Sequence, residues 1–74
     1  MKNIKIAMNG INDLTELVKN ASKVDSDIMI TKGRFVIDAK SIMGVMSIDM
    51  STGVTIKYSE SETDFDNYIL KYAI

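Results

Sequence analysis

The 74-residue chain contains no cysteine and no histidine, which excludes disulfides, thiol catalysis, imidazole acid–base chemistry and the usual zinc sites. Nine basic and ten acidic residues are scattered along it for a net charge of −1, a pattern without the electrostatic footprint of a nucleic-acid or membrane-surface binder. The length fits one domain (residues 1–74), and with neither a membrane-spanning apolar run nor a signal-peptide pattern the sequence predicts a cytoplasmic protein whose partners are other proteins.

The chain begins with a pattern typical of a strand followed by a helix. In "NIKIAMN" every second residue is apolar, at Ile4, Ile6 and Met8. The next apolar residues recur at helical spacing and predict a helix over residues 11–22: Ile11, Leu14, Leu17, Val18 and Ala21. Asn9 or Asn12 is the expected N-cap of this helix.

The rest of the chain supplies three strands and two helices. Two β-rich runs, 27–31 and 34–39, flank Lys32-Gly33 and predict an antiparallel hairpin. A short helix is expected after Ser41, and "GVTIKYS" alternates as a fourth strand. The last helix has an apolar stripe of Phe65, Tyr68, Ile69, Tyr72 and Ala73, with Ser61 and Asp64 as its expected capping pair.

The element order is therefore βαββαβα. Strands with one apolar face and helices with one apolar stripe satisfy each other most simply in two layers. The sequence thus predicts an α+β open-faced sandwich, in which a four-stranded antiparallel sheet is covered on one face by three helices.

The stretch "AKSIMGVMS" (39–47) allows two interpretations of its serine. Ser41 directly precedes an apolar helix, where its hydroxyl is expected to accept from a free backbone amide as an N-cap. The same geometry would hold a phosphate on that oxygen near the amides of the first helical turn. Periodicity also leaves open whether Met43 and Met46 fill gaps in the core or lie on a protein-binding surface.

The acidic residues predict neither a metal site nor a catalytic pair. The carboxylates near the last helix lack the spacing and the turn glycine of a calcium loop: Glu60, Glu62, Asp64 and Asp66. Asp13 and Glu16 have no base, nucleophile or oxyanion donor near them in sequence, and they favour the positive end of the first helix. We therefore expect no enzymatic activity and no cofactor.

The residues "ASK" (21–23), "SDI" (26–28) and "AKSIMGVMS" (39–47) resemble those of the histidine-containing phosphocarrier family, HPr, of the bacterial sugar phosphotransferase system. The resemblance covers the whole chain and is closest over residues 21–48. It implies the same architecture that periodicity predicts, an HPr-like open-faced sandwich.

The resemblance also implies that the phosphocarrier site of the family is degenerate in this chain. The family carries histidine, arginine and proline at the start of the first helix. In an ungapped alignment from Ala21 these positions fall on Gly10, Asn12 and Asp13. The phosphoryl group thus has neither its imidazole nucleophile nor the guanidinium that binds its oxygens.

By the same resemblance, Ser41 matches the serine that HPr kinase/phosphorylase modifies in Gram-positive relatives. Ile42, Met43 and Met46 match the apolar patch through which the family docks on its partners. The chain is similar in this respect to the regulatory, Crh-type HPr-like proteins, which lack the histidine and act with a catabolite-control transcription regulator.

Two functional hypotheses follow from these residues. One is a regulatory interaction module that is phosphorylated at Ser41 and binds protein partners through Ile42, Met43 and Met46. The alternative is a catalytically empty HPr-fold scaffold or subunit with no phosphorylation role.

Overall fold

The computed structural model describes residues 1–74 as four strands, three α-helices and a short 3₁₀ turn. In chain order the elements are β1 (Lys2–Ile6), α1 (Ile11–Ser22), β2 (Met29–Lys32), β3 (Phe35–Asp38), α2 (Ile42–Met46), β4 (Val54–Tyr58), α3 (Thr63–Ile69) and the 3₁₀ turn (Leu70–Tyr72). The predicted order of elements is therefore confirmed. No helix has the length and apolarity that crossing a bilayer requires.

The strands form one antiparallel sheet in the order β1-β4-β2-β3. Hairpin pairing of β2 with β3 leaves the other edge of β2 to β4, and β4 also pairs with β1. The helices cover one face of this sheet, so the α+β open-faced sandwich predicted from periodicity is confirmed.

A row of isoleucines crosses all four strands beneath the helices. The strand register places Ile4 opposite Ile56, Ile56 opposite Ile30, and Ile30 opposite Ile37. The two central members, Ile30 and Ile56, are fully buried. Directly opposed β-branched side chains stabilise a sheet through cross-strand contact, so this row fixes both the register and the buried face.

The core contains only apolar and tyrosine side chains, and no polar or charged residue is buried. Its fifteen members are Ile6, Met8, Leu17, Ala21, Val24, Ile28, Ile30, Ala39, Val45, Met50, Val54, Ile56, Tyr58, Phe65 and Ile69. They come from every strand except β3 and from all three α-helices. Such an arrangement makes the elements of a short chain interdependent.

The predicted caps of the first and last helices are wrong. Helix α1 begins after Gly10, and α3 begins after Glu62, in both cases without a side-chain cap hydrogen bond. Asn9, Asn12, Ser61 and Asp64 therefore do not cap these helices. Both helices form without a side-chain cap because tertiary packing contributes more to helix stability than a cap of about 1 kcal/mol. Ile11, predicted as part of the apolar stripe of α1, is 54% exposed at the first residue of that helix.

The end of the chain also differs from its helical prediction. The α-helix stops at Ile69, and Ala73 is extended and forms a β-bridge with Ile6. The backbone amide of Ile74 donates to the carbonyl of Lys5 at 3.0 Å, and the amide of Ala7 donates to the carbonyl of Tyr72 at 3.1 Å. The C-terminal residues thus cover the outer edge of β1.

Two acidic residues near α3 form ion pairs. Glu60 accepts from the amino terminus of Met1 at 2.9 Å, and Asp66 contacts Lys2 Nζ at 2.8 Å. Asp66 also accepts a hydrogen bond from the hydroxyl of the buried Tyr58. The Lys2 ammonium and this hydroxyl lower the pKa of Asp66, whereas burial and then Asp66 raise the pKa of Tyr58.

Candidate functional site

Ser41 is the N-cap of α2. Its backbone is extended, and its Oγ accepts a hydrogen bond from the backbone amide of Gly44 at 3.1 Å. The preceding turn is closed by Asp38, whose carbonyl accepts from the Ser41 amide at 3.0 Å and whose Oδ1 accepts from the Lys40 amide at 2.9 Å. The capping prediction for Ser41 is confirmed, and the residue is exposed to solvent.

The apolar residues of α2 divide between the core and the solvent. Val45 is fully buried, whereas Met43 is 82% exposed, Met46 48% and Ile42 36%. At about 100° per residue these three side chains fall within an arc of about 100°, and Val45 lies outside that arc, next to Ile42. The alternative that both methionines fill core gaps is therefore wrong. We call Ile42, Met43 and Met46 the α2 surface.

Gly44 lets α2 approach the sheet closely. A β-carbon at this position would lie 2.7 Å from Ile37 Cγ2 and 3.3 Å from Ser41 Oγ. Ile37 is the outermost member of the isoleucine row, and its branched side chain has little freedom to move aside. Because Gly44 has no β-carbon, α2 can lie close to the sheet, and this sets the distance of the α2 surface from the sheet.

Substitution of Gly44 by alanine is expected to lower the free energy of unfolding by about 1–3 kcal/mol, the usual cost of overpacking. Alanine favours a helix over glycine by about 1 kcal/mol, so intrinsic propensity alone predicts the opposite sign. Urea denaturation of the two proteins measures the difference. A Gly44→Ala protein as stable as the parent would show that Ile37 yields without cost.

An open groove lies beside the C-terminal end of α2. It is lined by the β2–β3 turn and the residues after α2: Lys32, Gly33, Arg34, Phe35, Ser47, Ile48 and Asp49. Lys32 Nζ donates to the carbonyl of Asp49 and to Thr52 Oγ1, both at 2.6 Å, and so ties the two walls together. Hydrogen bonds from the Ser51 hydroxyl and amide lower the pKa of the Asp49 carboxyl.

Phe35 is the residue of this region that the sequence did not single out. It is 60% exposed at the edge of the sheet, although its apolar run predicts a half-buried strand. The sequence places Phe35 directly after the hairpin turn, and the tertiary structure makes its strand an edge strand that no further strand covers.

The start of α1 has a backbone that suits glycine and not histidine. Gly10 has φ +84°, in the left-handed region that L side chains rarely adopt. The three positions predicted from the sequence, Gly10, Asn12 and Asp13, lie together at the start of α1. Gly10 and Asn12 are exposed, and Asp13 is half-buried. A histidine at position 10 would be strained unless the backbone changed.

Acidic and tyrosine side chains surround this helix end. Burial raises the pKa of the Tyr72 hydroxyl, and the nearby carboxylates of Asp13 and Glu16 raise it further. Tyr72 also stacks edge-to-face on Tyr68, with ring centroids 5.7 Å apart. Neither Asp13 nor Glu16 has a salt-bridge partner. The surroundings are therefore negative and repel a phosphoryl group, which is itself an anion.

These features define an open-faced sandwich with an exposed, serine-capped apolar helix and an acidic α1 terminus. The family model described as the PTS HPr component phosphorylation site matches residues 14–69, beginning just after Gly10, Asn12 and Asp13. This match spans most of the chain.

Two crystal structures have the same architecture. HPr-C-His from Thermoanaerobacter tengcongensis superposes with a TM-score of 0.77 at 25% identity, over 96% of this chain and 89% of that one. The phosphocarrier protein HPr from Bacillus anthracis str. Ames gives 0.71 at 26% identity, over 96% and 93%. The chain belongs to the HPr family of the phosphotransferase system. It is a member whose sequence contains no histidine.

Proposed function

We propose that residues 1–74 form one HPr-like regulatory domain that does not carry phosphoryl groups, is phosphorylated at Ser41 and binds partner proteins through the α2 surface. The observation that carries the proposal is Met43, an unbranched apolar side chain 82% exposed two residues after an exposed serine. Methionine adapts its shape to a partner, and an apolar side chain this exposed is typical of a binding surface.

The degenerate site at α1 supports the loss of the phosphocarrier role. Neither Gly10 nor Asn12 supplies a nucleophile or a cation, and Asp13 adds a negative charge. Phosphoryl transfer from the upstream kinase of the system is therefore absent, and the protein is not an enzyme.

Phosphorylation at Ser41 would add a charged, hydrogen-bonding group at the border of the α2 surface. The phosphate adds about −1.5 to −2 charges at neutral pH and three acceptor oxygens beside Ile42 and Met43. A partner that presents both an apolar pocket and an arginine or lysine would then bind the modified form more tightly. The partners expected on this basis are HPr kinase/phosphorylase and a catabolite-control transcription regulator in the cytoplasm, without direct contact to nucleic acid.

Incubation of the purified chain with HPr kinase/phosphorylase and ATP is expected to add one phosphoryl group, located at Ser41 by mass spectrometry. Ser41→Ala is expected to remain unmodified. The matched control is Ser47→Ala at the other end of α2, since Ser47 is also exposed and its Oγ donates to the Gly44 carbonyl. A parent chain that gains no mass, or gains it at Ser47, contradicts the proposal.

A complementary experiment incubates the chain with radiolabelled phosphoenolpyruvate and the general upstream kinase of the system. No radiolabel is expected on the chain, whereas an ordinary HPr in the same tube becomes labelled. If Ser41 stays unmodified and a partner from the cell extract still binds in a manner that Met43→Lys abolishes, the scaffold hypothesis replaces the regulatory one.

A further inference from the structure

The outer edge of β3 is the one edge of the sheet that nothing covers. β1 and β3 are the outermost strands, and the C-terminal residues close the edge of β1 through Ala73 and Ile74. Of the backbone hydrogen bonds outside helices and strands, none involves Phe35, Val36 or Ile37. The β3 edge therefore presents free backbone donors and acceptors.

The side chains at this edge are mostly apolar, with Asp38 as the one charged residue of β3. Val36 is 64% exposed and Phe35 60%, and β3 contains neither a proline nor a lysine. Natural proteins usually block an open edge with such residues, with a bulge or with a covering loop. An apolar edge without them is a template for another strand.

The hairpin turn fixes which backbone groups point outward. Gly33 and Arg34 form a two-residue turn closed by the pair Lys32 and Phe35, and Gly33 alone supplies the positive φ, +60°. The closing pair of such a turn exchanges its hydrogen bonds, so the backbones of Phe35 and Ile37 face β2. The backbones of Val36 and Asp38 consequently face outward, and Arg34 directly precedes the strand in the turn.

We propose that the β3 edge binds the β3 edge of a second copy of this chain, in antiparallel orientation about a two-fold axis at Val36. In this register the two Val36 residues form a hydrogen-bonded pair, and Arg34 of each copy lies opposite Asp38 of the other. Phe35 lies opposite Ile37 of the other copy. The two sheets become one continuous sheet of eight strands.

Charge complementarity singles out the second copy as the occupant. Arg34 is exposed and forms no salt bridge. Asp38 uses only Oδ1, as the acceptor for the Lys40 amide, and its second oxygen has no partner. Opposite charges directly across a strand pair stabilise it, and the two-fold axis repeats this pair. Because four-residue edges bury little area, the dimer forms only at high protein concentration.

Sedimentation velocity of the full chain, from the micromolar range to about 1 mM, tests the pairing. The parent chain is expected to shift from monomer to dimer. Arg34→Asp and Asp38→Arg are each expected to raise the dissociation constant by at least about tenfold, since like charges then face each other twice. An equimolar mixture of the two variants restores the dimer, because every opposed pair again has opposite signs.

Lys57→Glu is the matched control. Lys57 is exposed on β4, forms no salt bridge and undergoes the same change of charge as Arg34→Asp, so the dissociation constant is expected to stay within about twofold of the parent. Arg34→Asp alone carries the test if Asp38→Arg unfolds through loss of the Lys40 contact, as circular dichroism would show.

Three results would overturn the proposal. They are a parent chain that remains monomeric over the whole range, a dimer that Arg34→Asp leaves unchanged, and a dimer that Met43→Lys removes, which would assign the contact to the α2 surface. Since the β3 edge and the α2 surface share no residue, this outcome is independent of whether Ser41 is phosphorylated.

Discussion

Substitution of Ile56 by alanine is expected to lower the free energy of unfolding by about 2–5 kcal/mol. Ile56 is fully buried on a central strand and faces Ile4 on one side and Ile30 on the other. Its truncation therefore leaves a cavity in the middle of the isoleucine row. Total stabilities of small proteins are about 5–15 kcal/mol, so the loss is a large fraction of the whole. Urea denaturation followed by circular dichroism measures it.

Thr55→Ala is the control for this substitution. Thr55 is the neighbour of Ile56 on the same strand, and its side chain points to the opposite, open face of the sheet. A change of about 0.5 kcal/mol or less is expected for this half-buried surface position. Equal losses for the two variants would contradict the assignment of the buried face.

Val45→Lys and Met43→Lys are expected to have opposite consequences, although they introduce the same side chain two residues apart. Val45 is fully buried, so a lysine there places an unpaired charge in the core and costs about 3 kcal/mol or more. Met43 is 82% exposed, and its substitution is expected to change stability by no more than about 0.5 kcal/mol.

Thermal unfolding of the two lysine variants distinguishes a core position from a surface position. Capture of the partner protein then tests whether the surface position takes part in binding. Met43→Lys is expected to fold normally and to lose its partner, because a charge then replaces the most exposed apolar group of the α2 surface. Met43→Leu is the conservative control, which keeps the apolar contact. A folded Met43→Lys protein that still binds its partner would remove Met43 from the binding surface.

The proposed function rests on the different local chemistry of α1 and α2. At α1 the left-handed backbone of Gly10 and the carboxylates of Asp13 and Glu16 disfavour both a histidine and a phosphoryl group. At α2 the serine cap and the exposed methionine are intact. The proposed loss of phosphoryl transfer and the proposed docking role concern different residues of the fold, so the first does not require loss of the second.

The fold was predictable because its periodicities are clear. Alternation at Ile4, Ile6 and Val54, Ile56 and the helical stripe of α1 each allow a single buried face, and two layers are then the simplest way to bury them. The predicted caps of α1 and α3 were wrong because a cap contributes less to helix stability than the packing of a whole helix.

Residue identity and local spacing are enough to establish the order of the elements, the absence of an imidazole nucleophile and the cap at Ser41. The tertiary structure alone sets which apolar residues of α2 face inward, because a five-residue helix is too short for one periodic stripe. It alone also closed the β1 edge with Ala73 and left the β3 edge open. Which strand lies at an edge depends on pairing between distant segments, and local pattern carries no information about that pairing.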